Sequence, residues 1–248
     1  LGETTDHAEY LYWVGCAGSF DDRNVHVTRA VATLLDEAGV DYAILGSAET
    51  CTGDSARRAG NEYLFQMMAA QNIETLDGFG VKKIIAQCPH CFTTLGKDYK
   101  QFGGDYDVIH HSQLLAELVR QGHLEPDLGG ADITYHDACY LGRHNDTYMD
   151  PREVVASTGN LVEMERSGTN SFCCGAGGAR FWTEEATGRK VNVERAEEAI
   201  ATGAQQVAVA CPFCYVMLDD GVKELGGEGV EVKDIAMLLA EGIQRKKA

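Results

Sequence analysis

Short apolar runs alternate with longer amphipathic stretches along the whole chain. The runs have the length of buried strands, and the longer stretches space their apolar residues three or four positions apart, as on one face of a helix. In the first half this pattern predicts strands at 9–15, 40–46 and 81–87 and helices at 24–39, 60–76 and 112–122. Strands that alternate with helices favour an α/β fold, in which helices cover the faces of a parallel sheet.

The second half repeats the pattern, with predicted strands at 131–138, 161–166 and 206–210 and predicted helices at about 189–201 and 234–245. A shift of 123 residues lays four cysteines on four others: Cys16 on Cys139, Cys51 on Cys174, Cys88 on Cys211 and Cys91 on Cys214. Such self-similarity indicates a duplicated structural unit. We therefore expect two tandem, pseudo-symmetric repeats, 1–122 and 131–248, each a small parallel sheet flanked by helices, with a seam in 120–132.

Composition and charge narrow the class of protein. The 248 residues are 44% hydrophobic, enough for one large domain or two of about 120 residues. The net charge of −17 argues against a nucleic-acid partner and against an anionic membrane surface. No apolar run reaches the roughly 18 residues of a membrane span, and the N-terminus lacks the features of a signal peptide. Without a signal peptide or a membrane span, the chain is expected in the cytoplasm. It begins with Leu1 and not with Met, as a piece of a longer protein would, so we expect any membrane anchor in another segment or in a partner subunit.

Nine cysteines stand out in this acidic chain. An odd number without a secretion signal argues against a disulfide framework, so metal or redox chemistry is the better interpretation. In each half the cysteines lie just beyond the carboxyl ends of predicted strands, where open parallel sheets gather their ligands. Distant segments of each repeat can therefore meet at one site.

Each repeat contains one Cys-Pro-x-Cys motif, at Cys88 and at Cys211. Proline suits the first position of a helix, so both thiols are expected on its first turn, where the helix dipole favours thiolate. A single such motif is shared by zinc sites and thiol redox pairs. Two copies, each with further cysteines at matching distances upstream, are a more specific signal.

The second repeat has one thiol more than the first, because Cys173 precedes Cys174 and falls over Thr50. Four thiolates satisfy zinc, so the first half could hold either zinc or iron. Adjacent cysteines can bind two different irons of a cluster, and Gly175 lets the backbone approach it. The sequence therefore predicts an iron–sulfur centre with five available thiolates in the second repeat.

The order C, then C-C-G, then C-P-x-C, present twice, resembles the CCG cysteine-rich domain family, which includes the heterodisulfide reductase B subunit. The segments WVGCAGSFDDRN, CTGDSARRAGNEYLFQ, YHDACYLGRHND and SFCCGAGGARFW are closer still to the C-terminal part of membrane-associated iron–sulfur reductases linked to electron-transfer flavoprotein. This resemblance implies an oxidoreductase module that passes electrons from a flavoprotein to quinone. Its partners would be the flavoprotein, ferredoxin-type clusters and a quinone-reactive membrane part at the cytoplasmic face. The alternative is the catalytic subunit of a thiol or heterodisulfide reductase.

The resemblance also implies the ligands. The second repeat would bind a [4Fe–4S] cluster, in cubane or non-cubane form. The second repeat has the complete CCG motif, whereas the first has four cysteines and a CTG variant, with Thr50 opposite Cys173, which leaves a [4Fe–4S] cubane or zinc. The implied ligands of the second centre are Cys139, Cys173, Cys174, Cys211 and Cys214, and those of the first are Cys16, Cys51, Cys88 and Cys91.

Four polar residues around Cys139 are candidates for catalysis: His136, Asp137, Arg143 and His144. They could tune a cluster by hydrogen bonding or protonate a bound substrate, or they could belong to ordinary turn chemistry.

Other candidates have simpler interpretations. We expect His90 to form a pocket wall, because Phe213 replaces it in the second repeat. His110 and His111 precede a predicted helix and suit a cap better than a ligand pair. The segment 180–182, Arg-Phe-Trp, could shield the second centre from water or simply pack.

Overall fold

A computed structural model of the chain describes residues 1–183, 188–227 and 229–247. Two four-stranded parallel sheets organise it, one in each half. The strands are β1 (Tyr10–Trp13), β2 (Tyr42–Ala43), β3 (Lys83–Ala86), β4 (Asp107–His110), β5 (Asp132–Tyr135), β6 (Asn160–Leu161), β7 (Gln206–Val209) and β8 (Glu231–Asp234). The helices are α1 (Gly15–Phe20), α2 (Asp22–Glu37), α3 (Asp54–Arg58), α4 (Glu62–Gly78), α5 (Pro89–Thr93), α6 (His111–Arg120), α7 (Met149–Thr158), α8 (Val191–Ala201), α9 (Pro212–Glu224) and α10 (Ile235–Lys247).

The two sheets have the same topology. The strand order is β2-β1-β3-β4 in the first and β6-β5-β7-β8 in the second, and every pair is parallel. The central strands are apolar and largely buried, as expected for a sheet that is covered on both faces. The predicted α/β fold with two tandem repeats is confirmed.

Helix α2 shows how the sequence produces these elements. The side chain of Asp21 accepts a hydrogen bond from the Asn24 backbone and so caps the N-terminus. The face with Val27 and Val31 is buried against the core. Beyond the C-terminus Gly39 adopts a φ of +68°, which only glycine enters without strain, so the helix stops where the sequence predicts.

The structure corrects several predicted elements. The strands predicted at 40–46 and 161–166 shorten to the two-residue strands β2 and β6. The outer strands β4 and β8 were not predicted, because each is short and begins with an exposed acidic residue, a pattern that indicates a loop. Helix α7 was also missed, because polar residues and Pro151 interrupt its apolar face.

The repeats pack around a pseudo-twofold axis. Helix α6 packs against α7 as its equivalent α10 packs against α2. The side chains of His111 and Asp234 are 123 positions apart and lie 3.1 Å from each other (Nε2 to Oδ1). A residue touches its own equivalent only near a twofold axis, which therefore passes between them. The repeat boundaries at residues 122 and 131 stay a prediction. Both positions lie in the segment that connects α6 to β5.

Candidate metal centres

Four thiols of the first repeat surround one cavity. Cys16 lies in the first turn of α1, Cys51 in the loop before α3, and Cys88 is the N-cap of α5, which contains Cys91. The cavity is small, with about 20 Å³ open to the centre of a water molecule. Its wall includes Pro212 and Phe213 of the second repeat, so both repeats enclose it.

The thiols of this first site are unequal. The Gly53 backbone N–H donates to Cys51 Sγ over 3.4 Å. A hydrogen bond from Cys16, together with the Gly53 bond, lowers the pKa of Cys51 to about 6, and the same thiol pair raises the pKa of Cys16. Cys51 is therefore the thiolate of the pair near neutral pH, and thiolate is the form that binds metal.

Five thiols of the second repeat converge in the same way. Cys139 follows β5, Cys173 and Cys174 lie in the glycine-rich loop before α8, and Cys211 and Cys214 begin α9. The Sγ atoms of Cys174 and Cys214 are 3.3 Å apart. The burial of Cys174, Cys211 and Cys214 leaves Cys139 and Cys173 as the partly exposed members of the set.

Hydrogen bonds again select one thiolate. The Gly175 backbone N–H donates to Cys173 Sγ over 3.2 Å, and Gly175 has a φ of +92° that orients its amide for this contact. Bonds from Cys139 and Cys174 lower the pKa of Cys173 far below its ordinary value, and the pKa of Cys139 rises in return. Cys173 is thus the second site's counterpart of Cys51.

This equivalence corrects the alignment of the two repeats. At a constant shift of 123 residues, Thr50 lies over Cys173, but in the structure Thr50 turns away and donates to Asn72 Oδ1 at 2.8 Å. Thr52 contacts Cys91 Sγ at 3.7 Å, as Cys174 contacts Cys214. The first repeat therefore departs from the CCG motif at Thr52, in the order Cys51-Thr52-Gly53, and the shift is locally 122.

The two sites adjoin at the pseudo-twofold axis. Cys88 and Cys211 are equivalent residues and both are buried, and burial together with the nearby Cys211 thiol raises the pKa of Cys88. The rings of His90 and Phe213, another equivalent pair, pack edge to face with centroids 5.2 Å apart. The predicted pocket wall at His90 therefore lies between the sites, where His90 also bonds Asp54 at 2.8 Å.

His136 is the catalytic candidate that the structure places among the thiols. One of its ring nitrogens and the sulfurs of Cys174 and Cys214 lie within 4.8 Å of one another. Its Nδ1 accepts a hydrogen bond of 3.0 Å from Arg195, a fully buried residue that sequence reasoning missed. Burial and the Arg195 charge lower the pKa of His136 to about 3, so the ring is neutral. Only the helical pattern around Arg195 was visible in the sequence, and that pattern gave no functional signal.

The other three candidates have structural contacts. Asp137 is buried in a bidentate pair with Arg152 and also accepts from the Gly168 backbone at 2.7 Å. Arg143 donates to the Ser171 carbonyl and so supports the loop before Cys173. His144 stacks on Tyr140, with ring centroids 4.3 Å apart. These contacts favour roles in loop architecture.

The aromatic residues after the glycine loop face the first site. Phe181 and Trp182 pack on Phe213 and line an apolar groove shared with Cys16 and Phe20. Of the two alternatives for segment 180–182, these contacts favour packing for the rings of Phe181 and Trp182. His110 caps α6, as predicted, through its bond from the Ser112 backbone.

The donor sets fit iron–sulfur clusters. All the thiols come from loops or helix N-termini, and backbone N–H groups donate to Cys51 and Cys173. Buried N–H groups beside the thiols, at Trp13 Nε1 and His136 Nε2, have no partner among the described residues and suit acidic sulfur acceptors. The fold and sites together define a duplicated α/β protein with two adjoining thiolate centres.

A family model of the cysteine-rich domain CCG matches residues 10–96 and 133–219, and the chain belongs to this family. It is 43% identical to the EtfAB:quinone oxidoreductase of Syntrophomonas wolfei over 98% of this chain and 36% of that protein. It is 44% identical to the "Probable iron-sulfur-binding oxidoreductase FadF" of Bacillus subtilis over 95% of this chain and 34% of that protein. It is 32% identical to one component of the dihydromethanophenazine:CoB–CoM heterodisulfide reductase of Methanosarcina barkeri, over 96% and 60% respectively.

These relatives are named as oxidoreductases or as components of reductases, and the predicted resemblance to flavoprotein-linked iron–sulfur reductases is confirmed. The chain spans about a third of the length of the first two. Among the described residues, no helix has the length and apolar character needed to cross a membrane.

Proposed function

We propose that this chain is the iron–sulfur electron-transfer module of an oxidoreductase that passes electrons from a flavoprotein to quinone. The observation that carries the proposal is the proximity of the buried Cys88 and Cys211 thiols, close enough for Cys211 to raise the pKa of Cys88, so that the two sets of thiols adjoin across the pseudo-twofold axis. Clusters held by these sets would be separated by little more than their own ligands. An electron could then move between the centres without leaving the protein.

The surroundings of these two thiols support this role. Cys88 and Cys211 are buried, and the buried side chains of His90 and Phe213 form part of the wall of the first cavity. Cluster potentials depend on charge, hydrogen bonding and solvent exposure, and these differ between the two sites. Two adjoining centres with different environments suit directional transfer between a donor and an acceptor.

We assign a [4Fe–4S] cluster to each repeat. In the second repeat five thiols exceed the usual four, so one of them can bind in a non-cubane arrangement or remain a free thiolate. In the first repeat Thr52 takes the place of the fifth, and four thiols suit a cubane. Bound clusters would supply one-electron redox chemistry, while the chain's own residues fix the ligands and exclude water.

Metal and sulfide analysis with EPR, on protein purified without oxygen, tests the assignment. About eight irons per chain support two four-iron centres. About four irons with one zinc would contradict the assignment of the first site and leave a single redox centre. Protein without iron or a paramagnetic signal on reduction would overturn the proposal.

The proposed partners follow from the relatives' names, which include electron-transfer flavoprotein and quinone. We place the module at the cytoplasmic face of the membrane, because quinones are lipid-soluble, and we expect a quinone-reactive part and ferredoxin-type clusters in associated segments or subunits. The test is stopped-flow reduction of the iron-loaded chain by reduced electron-transfer flavoprotein. Reduction no faster than by a flavoprotein of unrelated type would argue against this partner.

A second candidate function is thiol or disulfide reduction at the second centre. The observation in its favour is the partial exposure of Cys139 and Cys173, beside a loop with two positive-φ glycines, Gly175 and Gly178. A sulfur substrate could reach the centre there. If a heterodisulfide neither oxidises the reduced chain nor perturbs its EPR signal, this function is excluded.

A further inference from the structure

The two repeats place a buried N–H donor at one equivalent position. Trp13 and His136 are 123 residues apart, and each stands three residues before the first cysteine of its repeat. Both side chains are 1% exposed, and Trp13 Nε1 and His136 Nε2 have no hydrogen-bond partner among the described residues. A buried donor without a partner costs about 1–3 kcal/mol, so two at equivalent positions require an explanation.

Both side chains lie near the second cysteine of the Cys-Pro-x-Cys motif of their own repeat. His136 lies with Cys174 and Cys214 inside 4.8 Å. In the first repeat, a Cβ built on Gly15 would lie 3.6 Å from Cys91 Sγ and 3.9 Å from Trp13 Cδ1, the carbon next to the indole nitrogen. The indole edge and the Cys91 sulfur therefore border the same small space above Gly15.

Arg195 fixes which nitrogen of His136 carries the proton. Arg195 Nε donates to His136 Nδ1 over 3.0 Å, and a nitrogen that accepts this bond carries no hydrogen. The hydrogen of the neutral ring is therefore on Nε2, the atom without a partner among the described residues. Arg195 Nη1 also donates to Glu198 Oε2 over 2.7 Å, which holds the guanidinium in place.

At the equivalent position the first repeat has a different residue. Asn72 lies 123 residues before Arg195, on α4, and is buried as well, but it bonds Thr50, the Cys51 carbonyl and Tyr99 instead of the donor side chain. The first repeat thus presents a neutral indole, and the second a histidine in contact with a cation.

We propose that Trp13 and His136 each donate an N–H hydrogen bond to the sulfur of the cluster in their own repeat, and that the Arg195–His136 pair holds the second centre at the higher reduction potential. A hydrogen bond to sulfur offsets the negative charge that a cluster gains on reduction, and a nearby cation strengthens the effect. Trp13, His136 and Arg195 are positioning residues under this proposal. It depends on the proposed occupancy of both sites by iron–sulfur clusters.

Three variants of the anaerobically purified, iron-loaded chain test the proposal. His136→Phe removes the donor of the second site, His136→Gln keeps an N–H at a similar reach, and Trp13→Phe removes the donor of the first site while keeping an aromatic ring. EPR-monitored redox titration gives the potential of each centre. Pulsed EPR in H2O and D2O detects the exchangeable proton next to each cluster, a signal that a purely structural role would not alter.

The expected result is specific to each site. His136→Phe lowers the potential of the second centre and removes its exchangeable-proton coupling, His136→Gln retains the coupling, and Trp13→Phe has both effects on the first centre alone. Iron-loaded His136→Phe or Trp13→Phe with the wild-type potential and coupling overturns the inference. Wild-type protein without iron–sulfur signals would overturn the proposed function instead, so the two failures are distinguishable. If the His136→Phe variant does not bind a cluster, the Trp13→Phe variant still tests whether the equivalent donor of the first site hydrogen-bonds to its cluster.

Discussion

The two thiolate sites share one backbone design and differ in chemistry. Each has a thiolate that accepts from the N–H of a positive-φ glycine, Cys51 from Gly53 and Cys173 from Gly175. Beside it the first site has Thr52, where the second has another thiol.

The surroundings change together with the ligands. Where the first site has a tryptophan and a buried asparagine, the second has His136 and Arg195. The duplicated fold therefore fixes where sulfur can be held, and a few side chains decide how many ligands and how much charge each site receives. The predictions below test that division, starting with the largest effect.

Replacing Cys173 by serine should remove the second centre and leave the first. Cys173 is the counterpart of Cys51 and accepts from the Gly175 N–H, and serine lacks the thiolate that holds a cluster. We expect the loss of about half of the iron and of the EPR signal of one centre. Cys51→Ser is the matched control for the first site. Equal losses from both centres in each variant would contradict independent sites.

Replacing Thr52 by cysteine should convert the first site toward the second. Thr52 already contacts Cys91, so a new thiol there would be the fifth of its set. We expect the Mössbauer and EPR spectra of the first centre to change toward those of the second. Thr50→Cys is the control, because Thr50 faces Asn72. A spectral change in the Thr50→Cys variant alone would show that Thr50, and not Thr52, stands at the position of the additional cysteine.

Replacing Gly175 by alanine should weaken the second site locally. Gly175 has a φ of +92°, and a Cβ there would lie 3.1 Å from Val191 Cβ and 3.3 Å from Met217 Cε. The left-handed conformation costs a non-glycine residue about 1–2 kcal/mol, which should lower the free energy of unfolding and the iron content of the second centre. Gly177→Ala, with nothing within 4 Å, is the control measured by the same denaturant titration. Equal losses in both variants would refute the role of Gly175 geometry.

The smallest effect concerns acid stability. Burial, with the charge of His111, lowers the pKa of His110 well below its ordinary 6.5. Below pH 6.5, His110 binds a proton in the unfolded chain but not in the folded chain. The free energy of unfolding therefore falls by up to about 1.4 kcal/mol for each unit by which the pH is lowered. His110→Asn keeps an acceptor for the Ser112 backbone and should remove this slope. Denaturant titrations between about pH 7.5 and 5.5, on either side of the ordinary histidine pKa, measure it; identical slopes for variant and wild type would exclude the assignment.

Much of the fold follows from local pattern. The central strands and the long helices were predictable because burial on both faces, or on one face, imposes apolar periods. The edge strands β4 and β8 were not predictable, because each has only four residues and these include charged side chains. Their conformation depends on pairing with β3 and β7. The spacing of the cysteines was enough to predict two sets of thiols.

Details of the sites were not predictable from one sequence. The sequence describes the first repeat as a CTG variant but pairs Thr50 with Cys173 at a constant shift, and the Cys51 and Cys173 contacts resolve this one-residue difference in loop length. Arg195 has the sequence pattern of an ordinary helical residue, and its role depends on packing between α8 and the strand end at His136. For Phe181 and Trp182 the sequence left shielding of the nearer cysteines and ordinary packing open, and the twofold arrangement brings both rings to Phe213 and to a groove that includes Cys16.

The shared wall of the first cavity has a consequence for biosynthesis. Pro212 and Phe213 complete that cavity, although its four cysteines all lie before residue 92. A ribosome must therefore translate most of the chain before the first site can close. Until then, the four cysteines of the first site lack this part of their wall, so metal could be delivered to them before the second repeat folds.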